Sequence, residues 1–154
     1  MNIYLAARYG AKDQVEELAQ YLRKRGFAIT STWHNPDKEA TPYGKVTAAL
    51  LRREAQADRK DLEESDTIVS CEIFGDKGSR GARHCEFGHL MCRSGNLVLF
   101  GKPWQCFHFL PEVKIVSSKV GLVRVLNKLK NSEVSEEDLG GEFQWTVIKN
   151  AELH

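Results

Sequence analysis

Short β-like runs alternating with helix-periodic segments predict an α/β fold with a parallel sheet in a single domain. Two further observations agree. The chain has 154 residues, a length that fits one domain able to bury roughly 70% of its unfolded surface. Its hydrophobic content of 42% and charged content of 28% are ordinary for a soluble globular protein.

Met1–Ala7 is a short apolar run and reads as a buried strand. Ala11–Arg25 has helical periodicity, with Val15, Leu18, Ala19 and Leu22 on one face and Lys and Glu opposite. Phe27–Thr32, rich in β-formers, is a second strand. Trp33–Lys45 carries two prolines, an Asn and a Gly, so it reads as a loop. Val46–Glu64 is helical, Thr67–Ile73 is a third strand, and Phe74–Gly81 is a polar loop. Ala82–Ser94 is a third helix, and Asn96–Phe100 a strand stopped by Gly101 and Pro103. Val113–Val116 is a short fifth strand, and Lys119–Lys130 an amphipathic helix. Five strands joined by helices predict a flavodoxin-like doubly wound sheet. Ligands in such sheets bind beyond the carboxyl ends of the strands. That rule directs attention to Ala6–Gly10, Ser31–Asn35, Cys71–Glu86 and Gly101–His108. Residues 131–154 form a tail after the domain. Within it Glu133–Asp138 is acidic, and Phe143–Ile148 is apolar enough for an edge strand or a segment docked on a neighbour.

The formal net charge of +1, with acids and bases interleaved, argues against a nucleic-acid polymer as partner. A small phosphorylated ligand needs only one or two cations. The four cysteines form no CxxC pair, and no His/Cys group has zinc spacing. No run approaches the roughly 20 apolar residues of a membrane span. The expected setting is the cytoplasm, with reduced thiols.

The most informative stretch is Gly81-Ala82-Arg83-His84-Cys85-Glu86-Phe87-Gly88, a glycine-flanked entry into a helix. A helix dipole favours an acid in its first turn, which accounts for a surface Glu. It accounts less well for Glu86 between Cys85 and Phe87, behind two basic residues. A second stretch, Ala57–Leu62 followed by Ser65-Asp66, offers Asp61 near a helix end and Asp66 just before a strand. Asp66 also suits a turn, and Asp61 a solvated face. Two carboxylates in one cleft can divide labour. One attacks an anomeric carbon, and the other, at a different pKa, serves the leaving group. Around Ala6, Arg8 and Tyr9, small residues at a strand end admit a ligand, and Arg8 can fork a phosphate or carboxylate. The segment is not a GxGxxG fingerprint, so dinucleotide binding is unsupported. The aromatics of Gly101–Pro111, Phe107 among them, can wall a base pocket or pack under a loop. His84 and His108 are acid–base candidates or structural imidazoles, and Trp33 stacks on a base or caps the core.

These segments, in order, resemble the nucleoside 2-deoxyribosyltransferase family, particularly its small phage and bacterial members. The resemblance runs through Ile3–Tyr9, Thr30–Trp33, Ala57–Asp66, Gly81–Gly88 and Cys106–Val113, and spans about residues 1–130. It implies a flavodoxin-like fold, a homo-dimer or larger oligomer, and no metal or organic cofactor. It implies a nucleoside or nucleotide substrate, with a free base as possible acceptor. Glu86 matches the nucleophile that attacks C1′, and Asp61 the aspartate that serves the base. Asp66 falls at the strand start, as a more structural residue. Ala6–Tyr9 would line the sugar and base pocket, and Gly88 follows the nucleophile in the motif. Where base-exchanging members often carry an Asp six residues before the nucleophile, this chain has Arg80, with Asp76 and Ser79 nearby. Related hydrolases act on 5′-monophosphates, and Arg8, Arg80, Arg83 and Ser117 are candidates for a phosphate. Three readings follow: a deoxyribosyltransferase, a (deoxy)nucleoside 5′-monophosphate N-glycosidase, and a non-catalytic nucleotide-binding or sensing protein.

Overall fold

A computed structural model describes residues 1–37, 46–74 and 81–131. The expected segment Phe143–Ile148 and the rest of the tail after residue 131, Arg80, and the second half of the Trp33–Lys45 loop lie outside the described residues.

The strands are β1 (Asn2–Ala6), β2 (Ala28–Ile29), β3 (Thr67–Ser70), β4 (Asn96–Phe100) and β5 (Val113–Val116). The α-helices are α1 (Lys12–Arg23), α2 (Ala48–Glu63), α3 (Ala82–Cys92) and α4 (Lys119–Lys130). The strands form one parallel sheet in the order β2-β1-β3-β4-β5. This is the doubly wound, flavodoxin-like arrangement that the alternation predicts. Its order reverses between β1 and β3, and the crevice at that reversal is where such folds receive ligands.

Burial follows the apolar runs. Ile3, Leu5, Ile68, Val98 and Leu99 are fully buried in the sheet, against Val15, Leu18 and Leu22 of α1 and Leu122 and Leu126 of α4. The ends of α2 and α4 follow from their caps. Thr47 Oγ1 accepts the Leu50 N–H at 3.1 Å, and Ser118 Oγ accepts that of Gly121 at 3.1 Å. No helix among the described residues is long and apolar enough to cross a membrane.

Two strands are shorter than their sequences predict. In place of Phe27–Thr32, β2 spans only Ala28–Ile29. The Thr30 N–H still bonds the Ile3 carbonyl at 2.9 Å, but the following residues turn to side-chain partners. Ser31 Oγ accepts the Leu5 N–H at 3.1 Å, and the Thr32 N–H donates to Asp61 Oδ2 at 2.7 Å. In place of Thr67–Ile73, β3 ends at Ser70, and Glu72–Phe74 form a 3-10 turn.

Asp66, expected among the substrate-binding residues, stands at the amino end of β3, opposite the edge where ligands bind. Its carboxylate accepts the Asn2 N–H at 3.0 Å and the Thr67 hydroxyl at 2.7 Å, with the N-terminal ammonium at 3.8 Å. It is a clamp on the starts of β1 and β3.

At the carboxyl edge, Gly101 follows β4 with φ of +132°, a conformation open to glycine. A Cβ there would fall 2.4 Å from the Ile73 nitrogen and 2.8 Å from the Glu72 carbonyl carbon. Both neighbours are backbone, so the turn after β3 has to move to make room. Gly101→Ala is expected to destabilise the fold by about 2–4 kcal/mol in urea unfolding. A loss under about 0.5 kcal/mol would show that the two turns are not packed this tightly.

Candidate active site

Tyr4 lies in the centre of β1 and is fully buried. A phenol in such a place requires a hydrogen-bond partner. Its hydroxyl donates to Glu86 Oε1 at 3.1 Å, across 82 residues of sequence. Burial first, then repulsion from Glu86, Asp58 and Asp61, pushes the Tyr4 pKa far above the usual phenol range. The hydroxyl therefore keeps its proton and stays a donor to the carboxylate.

Helix α3 delivers Glu86 to this bond. Gly81, with φ of +85°, turns the chain into the helix, and its carbonyl accepts the His84 N–H at 3.0 Å. Arg83, Phe87 and Leu90, spaced four and three residues apart, are the buried face. Glu86 sits at the margin of that face and is half-buried. Its pKa is raised to about 7, by burial first and by Asp58 second, while the Tyr4 bond and Arg83 oppose the rise. Desolvation outweighs both stabilising neighbours. The carboxyl is consequently poised between its protonated and ionised forms near neutral pH.

The facing acids come from α2, where Glu54, Asp58 and Asp61 follow the helical repeat. They meet different surroundings. Asp61 is 8% exposed, and its Oδ2 accepts both the N–H and the hydroxyl of Thr32 at 2.7 Å. Two short charge-assisted bonds tie α2 to the chain after β2. Asp58 instead acts electrostatically on both Glu86 and Tyr4. Glu54, with partial burial as the larger cause, raises the pKa of Tyr9. Asp58, one helical turn before the expected Asp61, acts on both Glu86 and Tyr4, and Asp61 acts on Tyr4.

The rest of the expected set divides by location. Ala6 ends β1, fully buried, and its carbonyl accepts the Cys71 N–H at 2.7 Å. Just beyond it, Tyr9 is 54% exposed and lies 6.4 Å from the ring of Trp33, tilted by 38°. Trp33 is buried and donates its indole N–H to the Leu5 carbonyl at 2.8 Å, so one edge is fixed and Tyr9 extends the wall outward. Arg8 Nε donates to the Phe74 carbonyl at 3.0 Å. Gly88, on α3, faces open space where a Cβ would stand.

Arg83, a candidate phosphate ligand by sequence, is turned inward instead. It is 2% exposed, and its Nε and Nη2 fork onto Glu72 at 3.0 and 2.9 Å. Glu72 also accepts the Ser70 hydroxyl at 2.8 Å and the Trp104 indole N–H at 2.8 Å. His84 and His108 pack edge-on against Trp104, and Gln105 bridges them, with Nε2 at 2.8 Å from His108 Nε2 and 3.4 Å from His84 Nδ1. His108 is fully buried, and burial lowers its pKa, which favours a neutral structural imidazole. Phe107 is half-exposed on the same loop. Ser117 lines a surface pocket of about 440 Å³ with Glu72, Ile73, Gly101, Lys102, Pro103 and Ile115.

Sequence reasoning passed over three residues that the fold brings to prominence. Tyr4 is a phenol among the aliphatic residues Ile3, Leu5 and Ala6, Asp58 is one turn from Asp61, and Glu72 is a charge two residues after a buried strand. Each is an anomaly visible in the sequence, although none names its partner. Among the described residues, no group of three or more His, Cys, Asp or Glu side chains is placed to hold a metal ion.

No family profile matches the chain, and no curated protein matches it by sequence. Among solved structures it is similar to the CMP N-glycosidase BcmB of Clostridium botulinum, with a TM-score of 0.51 and 14% identity. The similarity covers 82% of this chain and 99% of that one. At this identity the likeness establishes a shared fold.

Proposed function

We propose that the chain cleaves the N-glycosidic bond of a nucleoside or nucleotide, with Glu86 as nucleophile. The observation that carries this reading is a half-buried carboxyl, raised to about 7, beside a permanently protonated phenol and a second carboxylate. Tyr4 belongs to β1, one of the two strands that flank the reversal where doubly wound folds receive ligands.

In this mechanism ionised Glu86 attacks C1′, and the bond to the base breaks with its electron pair leaving on the base. The departing base takes up a proton, and we assign its delivery to Asp58. It is chosen because it is the α2 carboxylate that acts on both Glu86 and Tyr4. Tyr4 orients the nucleophile and stabilises its charge through one hydrogen bond. In the hydrolytic branch, water displaces Glu86 from C1′ and gives up a proton to Asp58, regenerating both carboxyls. Tyr9 and Trp33 form an aromatic wall for the base.

We place hydrolysis ahead of transfer to a second base. A solved structure with the shared fold is an N-glycosidase of CMP, and in the sequence Arg80 falls where base-exchanging transferases often carry an acid. Product analysis separates the branches. Free base with sugar or sugar phosphate supports hydrolysis, whereas a new nucleoside formed from an added base supports transfer.

Glu86→Gln is expected to lower base release from deoxynucleosides and deoxynucleotides by about 10³-fold or more. Asp58→Asn should cost about 10²-fold, and more than Asp61→Asn when each is compared at equal folded fraction. A Glu86→Gln enzyme with over a tenth of normal activity would overturn the assignment. So would wild-type protein that binds nucleotides and releases base from none, which supports the non-catalytic reading.

The pH dependence has a fixed sign. The nucleophile must be ionised, so activity should fall as pH drops through about 7, the value set by burial and Asp58. A kcat/KM profile that is flat from about pH 4 to 7 would contradict a nucleophile poised as Glu86 is.

A further inference from the structure

The buried ion pair beside the nucleophile has no part in the mechanism above. Arg83 precedes Glu86 by three residues on α3, a spacing at which helical side chains reach one another. A guanidinium so placed can reach the carboxylate. Here its Nε and Nη2 are instead taken by Glu72, at 3.0 and 2.9 Å.

Glu72 is itself fixed from three directions. Ser70 Oγ and Arg83 Nε share its Oε1, while the Trp104 indole N–H and Arg83 Nη2 share its Oε2. Both side chains of the pair are at most 2% exposed. The backbone under Glu72 is fixed as well, because Gly101 packs against the Glu72–Ile73 peptide. Meanwhile Glu86 keeps a single short bond, from Tyr4. The arrangement diverts the nearest cation on α3 away from the nucleophile and locks it there.

We infer that Glu72 is a positioning residue that sequesters Arg83, so that the Glu86 carboxylate remains a free nucleophile instead of becoming half of a salt bridge. This rests on the reading of Glu86 as nucleophile. Among the described residues, the groups acting on Glu86 are Tyr4 from β1, Asp58 from α2 and Arg83 from α3. Tyr4 holds its proton through the range of interest, Asp58 opposes ionisation, and Arg83 is the described cation that favours it. Trp104, through its indole N–H, is a second support for the same carboxylate.

The two members of the pair should therefore affect Glu86 in opposite directions. In Glu72→Gln, Arg83 loses its fork and turns to Glu86, so the carboxyl ionises at lower pH and is tied up. In Arg83→Gln, the cation is gone and the carboxyl ionises at higher pH. The test is the titration of the Glu86 carboxyl by 13C NMR on glutamate-labelled protein, assigned by the signal missing from Glu86→Gln. It needs no substrate, so failure of the proposed glycosidase activity leaves it intact.

The expected result is a downward shift of about half a pH unit or more in Glu72→Gln and an upward shift of similar size in Arg83→Gln. Leaving one buried charge unpaired can unfold a protein, so the double variant Glu72→Gln/Arg83→Gln is the safeguard. There the downward shift must disappear, because the cation that caused it is absent. Where base release is measurable, kcat should fall in Glu72→Gln with KM little changed. Shifts of the same sign in both single variants, or no shift in folded protein, would overturn the inference. If the single variants do not fold, a double variant that titrates below wild type would overturn it equally.

Discussion

A hydrogen bond between the centre of β1 and the second turn of α3 organises this protein. Tyr4 and Glu86 are separated by 82 residues and meet at 3.1 Å inside the layer between sheet and helix. For the phenol to be satisfied, α3 must carry its carboxyl over β1, not over β3 and β4 alone. For the carboxyl to be there, it must leave water, and that lifts its pKa toward neutrality. Structure and reactivity thus arise from one contact, in which a buried donor demands a partner and that partner acquires a poised charge.

The surrounding polar groups share a pattern. At the carboxyl edge, side-chain bonds follow β2 and β3, and a close backbone packing follows β4. Thr32 goes to Asp61 after β2, Ser70 to Glu72 after β3, and Gly101 packs on the Glu72–Ile73 backbone after β4. The His34 ring extends the same device, with Nε2 at 3.0 Å from Ser31 and Nδ1 at 2.7 Å from Glu16. Burial lowers the His34 pKa, outweighing the attraction of Glu16.

Much of this was legible in the sequence, and the gaps have physical causes. The bounds of β4, β5 and α4 coincide with their apolar runs, since glycine, proline and the Ser118 cap mark the ends. The shortening of β2 was hidden because Thr30–Trp33 has strand-forming residues whose hydrogen bonds go to Asp61 and other tertiary partners. Glu86 stood out by its neighbours, and its place at a buried phenol gives that anomaly a cause. The choice between Asp58 and Asp61 was beyond periodicity. Residues three apart share nearly one helix face, and only the depth of packing separates a carboxylate engaged by Thr32 from one that acts on Glu86. Arg83 looked like a free phosphate ligand because its partner, Glu72, lies eleven residues upstream across a loop.

The central claim is that a sugar becomes covalently attached to the carboxyl that Tyr4 holds. Rapid acid quenching during turnover of a deoxynucleoside or deoxynucleotide, followed by peptide mass mapping, tests it directly. The account predicts an added sugar or sugar phosphate on the peptide from α3, localised to Glu86. Base release accompanied by an adduct on another residue, or by no adduct under conditions that trap the ester, would contradict it.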